Sequence, residues 1–139
     1  MASPAQAYAR APQEGNPAKT EAWALLEAAR RMQSAKSQDR VMILEAVRFN
    51  WRLWTIFQAD LVDQNCALPA EVRGNLLGLA NFIDRHTAGI LANPEPRRVD
   101  VLVNINRQIG EGLLEGQRNA RAKAAAAGDK PPAQLRETA

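Results

Sequence analysis

Apolar residues recur along the chain at intervals of three and four, in four separate stretches, with no useful run at intervals of two. The first spacing lines up side chains on one face of an α-helix, whereas a strand needs the second. Ala22, Leu25, Leu26, Ala29 and Met32 make the first stripe, with Trp23 at its edge. Ile43, Val47, Asn50, Trp54, Phe57 and Leu61 make the second, flanked by Leu44, Arg48 and Trp51. Val72, Leu76, Leu79, Ile83, His86 and Ile90 make the third, and Val99, Leu102, Asn106, Ile109 and Leu113 the fourth.

Helix-breaking chemistry falls between these stretches. Asn16-Pro17 predicts the first helix start, because Asn caps free amides and Pro suits the first helical position. Ser34, Ser37 and Asp39 predict a break and a new cap. Gln64–Ala67 reads as a short loop, with Pro69 opening the third helix. Asn93-Pro94-Glu95-Pro96 ends that helix, since each proline disfavours helix in the residue before it. The last helix is expected from about Arg98 to Leu114. The reading is an all-α protein: a small antiparallel bundle of about four helices. Residues 1–16 are a flexible arm rich in Ala, Pro, Gln and Gly, 17–116 the helical domain, and 117–139 an Ala- and Arg-rich disordered tail. Glycines within the helices, such as Gly74, Gly78 and Gly89, weaken them but let a neighbouring backbone come close.

Charge sharpens this division. The net charge of +3 is the excess within residues 117–139, which hold five basic and two acidic side chains, leaving 13 of each before them. The body is neutral, unlike a nucleic-acid-binding domain with basic charge gathered on one folded face. No apolar run approaches the ~18 residues of a membrane-spanning helix, and residues 1–15 lack the apolar core of a secretory signal. A cytoplasmic location is expected.

No catalytic constellation emerges. Gly74-Asn75-Leu76-Leu77-Gly78 lacks the Lys-Ser/Thr of a phosphate-binding loop. Cys66 is the one cysteine and reads as a passive loop thiol. Asp60 and Asp63 lie one helical turn apart, but without a Glu-x-x-His pair they make no di-metal site. The reading is therefore no enzyme, no metal and no cofactor. Polar residues do interrupt the apolar stripes, and buried polar groups need partners. Asn50, Asp60, Arg85, His86 and Asn106 are expected to form a structural hydrogen-bond network that fixes helix register.

Several segments together resemble the FlaF family of flagellar biosynthesis regulators: Ala7-Tyr8; Asn16-Pro17 with Glu21; Asn50-Trp51-Arg52-Leu53-Trp54 with Asp60-Leu61; Leu68-Pro69; Phe82-Ile83-Asp84-Arg85-His86-Thr87; and Asn104-Ile105-Asn106-Arg107 with Gly112-Leu113. The resemblance covers residues 8–114 and does not extend to the tail. It implies a chaperone that binds flagellin, covers its sticky helical ends and promotes its synthesis and export. It also implies a companion, FlbT, that restrains flagellin synthesis at the messenger and is a candidate second partner. The alternative is an RNA-associated regulator of flagellin messenger working through the basic tail, against which stands the absence of aromatic residues beside the tail's cations. For a protein partner, the expected contact residues are Tyr8, Leu44, Arg48, Trp51 and Arg52. Trp54 lies on the apolar stripe and is expected in the core, whereas Trp51 lies on the flank.

Overall fold

The computed structural model describes residues 17–128, which form four helices and no strand. These are α1 (Pro17–Ala35), α2 (Arg40–Val62), α3 (Ala70–Ala92) and α4 (Pro96–Gly128). The arm with Tyr8, and the tail from Asp129 onward, lie outside the described residues.

The predicted punctuation is realised in detail. Pro17 opens α1. The Asp39 carboxylate accepts the Met42 amide at 3.0 Å and caps α2, satisfying a donor that the first helical turn leaves free. Asp63 ends α2 in extended backbone and accepts the Asn65 amide at 2.8 Å. Pro69 precedes α3, and the Asn93 amide closes it onto the Gly89 carbonyl.

Cross-contacts fix the helix directions. Lys36 pairs with Asp100, while Ala22 lies beside Gly110, so α1 and α4 run antiparallel. Arg31 over Phe49 and Glu21 beside Asp60 give the same relation for α1 and α2. Trp51 bonds Asp84 across α2 and α3, and Arg98 bonds Gly89 across α3 and α4. All four helices feed one core that includes Met32, Trp54, Leu61, Ile83, Ile90 and Leu102. A smaller apolar cluster of Ala24, Ala28, Phe49 and Leu53, backed by Trp23, seals part of the α1–α2 seam.

Three features depart from the sequence reading. First, α4 does not stop at Leu114 but continues to Gly128, across the expected domain boundary at Gly116. Ala, Arg and Lys are strong helix formers, and Glu115 pairs with Arg118 one turn on. This extension needs no apolar face because residues 118–126 are exposed. Second, α3 buries Leu76, Ala80, Ile83, Thr87 and Ile90. The stripe is rotated from the predicted one: Val72 is exposed, and Leu79 and His86 are half-buried. Small Ala80 and Thr87 face the neighbouring helices where larger Leu79 and His86 were expected. Third, the glycine that permits close approach is Gly110. A Cβ there would fall 2.7 Å from Leu26 Cγ and 3.2 Å from the Ala22 carbonyl, while Gly74 and Gly78 face open space.

Candidate partner-binding site

Two asparagines on the predicted stripes meet at the centre of the bundle. Asn106 of α4 donates through Nδ2 to the Asn50 side-chain oxygen at 2.6 Å and to the Leu25 carbonyl at 3.1 Å. Its own Oδ1 accepts the Trp54 indole N–H at 2.9 Å. One fully buried amide thus ties α1, α2 and α4 together. In a dry interior such a junction fixes register, because any slip leaves several polar groups unpaired.

The other expected network members lie elsewhere. His86 sits at the α3–α4 corner, with Nε2 2.7 Å from the Arg98 carbonyl and its ring stacked on Phe82. A carbonyl only accepts, so Nε2 carries the proton there. Arg85 is exposed, because two residues from the buried Ile83 is about 200° around the helix. Asp60 is also exposed, one position short of buried Leu61. It instead hydrogen-bonds Glu21 across the α1–α2 seam. Burial, and then the Asp60 carboxyl, push Glu21 up to about 9. Glu21 is therefore protonated near neutral pH and donates to the Asp60 carboxylate.

The expected partner residues separate into two sets. Trp51 is half-buried, and its indole donates to Asp84 Oδ1 at 2.8 Å, so it ties α2 to α3. Leu44 is also half-buried. Arg48 and Arg52 are exposed, and both line an open groove of about 450 Å³ between the second half of α1 and the first half of α2. Arg30 and Arg31 border it from α1; Met42, Ala46 and Phe49 form its apolar part. Neither helix alone discloses this groove. Arg30-Arg31 and the four-residue spacing of Arg48 and Arg52 were visible, but only the packing of α1 on α2 sets them opposite each other.

The groove's charges are held in different ways. Glu27 accepts from Arg30 at 2.7 Å and from Arg31 at 3.2 Å. The bond from Arg30, and secondarily that from Arg31, hold Glu27 below the usual carboxylate range despite opposition from burial. The Arg31 guanidinium also lies 4.4 Å from the Phe49 ring centroid. Arg31 is therefore fixed in place, with only 11% of its side chain exposed. Among the described residues, Arg48 and Arg52 form no ion pair. Four arginines and Glu45 line the groove, and with Glu27 held on Arg30 and Arg31 an excess of two positive charges remains.

Among the described residues, no group of three or more His, Cys, Asp or Glu side chains could hold a metal ion. Cys66 is a half-buried free thiol in the α2–α3 loop. Among the described residues, no helix is long and apolar enough to cross a membrane. The described residues thus form a helical body with an open, arginine-lined groove between α1 and α2.

The sequence matches the family described as "Flagellar protein FlaF" over residues 4–113. The chain belongs to the FlaF family, and the match ends just before the exposed extension of α4. No curated protein and no solved structure matches the chain.

Proposed function

We propose that this protein binds flagellin in the cytoplasm and acts as its secretion chaperone, promoting flagellin synthesis and export. Membership of a flagellar protein family carries this reading. The all-α body supports it, as does an open groove that combines apolar floor with charged walls. Amphipathic helices bind in grooves of this kind, with their apolar residues inward. FlbT is a further partner in this reading. The RNA-binding alternative has less support: α4 beyond Gly116 carries exposed Arg118, Arg121 and Lys123 but no aromatic side chain for a base to stack on. Co-purification tests the proposal: flagellin should be recovered with a tagged full-length chain from flagellated cells. Its absence from the eluate, with motility intact in the tagged strain, would count against the proposal.

A further inference from the structure

The α1–α2 groove combines features that narrow what can occupy it. Met42 offers its apolar surface, with Phe49 buried beneath Arg31, while Arg30 and Arg31 face Arg48 and Arg52 across it. From Met42 to Arg52 the α2 wall is about 15 Å long, which matches roughly three turns of a docked helix. Arg31 is fixed by Glu27 and Phe49, whereas Arg48 and Arg52 have no ion-pair partner among the described residues. An acidic ligand would supply the missing counter-charges.

We propose that this groove binds an acidic amphipathic helix of a partner protein, with apolar side chains on Met42 and the aliphatic stems of the arginines, and carboxylates against Arg48 and Arg52. The proposal rests on the reading that the protein works by binding another protein, and it names the chemistry of that partner. Charge complementarity selects this occupant. The chain's own residues 117–139 carry five basic and two acidic side chains and are repelled by an arginine-lined groove. RNA would satisfy the arginines but wants aromatic faces to stack its bases. The groove's aromatic ring, Phe49, is 7% exposed and already lies against Arg31.

The test uses the full chain and a fluorescein-labelled peptide of about three helical turns, with leucines along one face and glutamates flanking them. A glutamine-for-glutamate version and a single-stranded RNA oligonucleotide serve as comparison probes, and anisotropy reports binding. The acidic peptide should bind, weaken as salt rises, and lose roughly tenfold or more in affinity to the Arg48→Glu/Arg52→Glu variant. Glu45→Lys should tighten it. Both arginines are exposed, so thermal melts of the variant should match the parent. Equal binding of the glutamine version, or tighter binding of the RNA, would overturn the proposal. So would peptide binding that survives the double reversal, or that rises when the chain is truncated after Gly116. Self-association abolished by the reversal would assign the groove to a second copy and also overturn it. Flagellin capture is read in parallel. If the parent and the reversed variant capture flagellin equally, the groove assignment fails while the chaperone reading stands. If the parent binds the peptide but never flagellin, the chaperone reading fails alone.

Discussion

On its α4 side, α1 presents Ala22, the Leu26 side chain and the Leu25 carbonyl; on its groove side it presents Arg30, Arg31 and Ser34. Across the first side, Gly110 lets the backbones close, and Asn106 satisfies three partners in a space that excludes water. Across the second, long charged side chains stand along an open groove, and two of the cations on α2 remain unpaired among the described residues. The same helix thus carries a finished interface and an unfinished one. The closed side rests on small residues and the three hydrogen bonds of Asn106, whereas the open side is lined by long arginine side chains.

The largest expected loss comes from breaking the closed side at Trp54. Trp54→Ala removes a buried ring with an edge-on contact to Phe57 and strips Asn106 of its donor. Chemical denaturation should show about 3–5 kcal/mol of destabilisation. A loss under about 1 kcal/mol, within the range of surface changes, would mean the junction does not hold the bundle. Asn106→Ala comes next, at roughly 3 kcal/mol, since it leaves the Trp54 N–H and the Asn50 oxygen unpaired and removes the second bond to the Leu25 carbonyl, which keeps its partner within α1. Asn50→Ala should cost less, because Asn106 Nδ2 keeps its bond to Leu25 and Asn50 Nδ2 has no partner to lose among the described residues. Equal costs for the two would contradict the central place given to Asn106.

Gly110→Ala sharpens the comparison from the steric side. The new methyl would gain up to about 1 kcal/mol of helix propensity, but crowding Leu26 and the Ala22 carbonyl costs about 1–3 kcal/mol. The net effect should be a lower melting temperature, whereas Gly78→Ala, facing open space, should raise it. Trp51→Phe keeps the ring but drops the bond to Asp84, for about 1 kcal/mol.

A pH dependence at the α1–α2 seam gives a comparison of another kind. Glu21 stands at about 9 in the folded chain against 4.5 as its ordinary value. The folded state therefore holds a proton that the unfolded state releases. The stability contributed by protonated Glu21 is complete below about 4.5 and is lost as pH rises through about 9. Melting temperatures of the parent should fall over that window more than those of Glu21→Gln. Parallel curves for the two would show that Glu21 titrates normally.

Much of this fold was legible because it depends on local chemistry. Asp39, Pro69 and Asn93 each act within a turn of their own position, so the helix limits of α2 and α3 follow from the sequence. Asn50 and Asn106 were legible as polar interruptions of apolar stripes. His86 and Arg85 were misplaced because a small rotation of α3, permitted by Ala80 and Thr87, changes which side chains face inward. The end of α4 was misplaced because the reading looked for an apolar face, which a helix sustained by alanine and charged side chains does not need. Trp51 was expected at a free surface; its partner Asp84 lies on another helix, beyond the reach of local pattern. The groove was half legible: Arg48 and Arg52 were singled out on α2, but their counterparts Arg30 and Arg31 belong to the site only through tertiary packing.

Flagellin binding is the role proposed for this FlaF-family chain. Isothermal titration of purified, monomeric flagellin into the full chain tests it most directly. Saturable binding is expected, with a dissociation constant in the micromolar range or tighter, about −8 kcal/mol or better. A flat titration with both proteins folded and at concentrations of about 100 μM, where even weak complexes give heat, would contradict it.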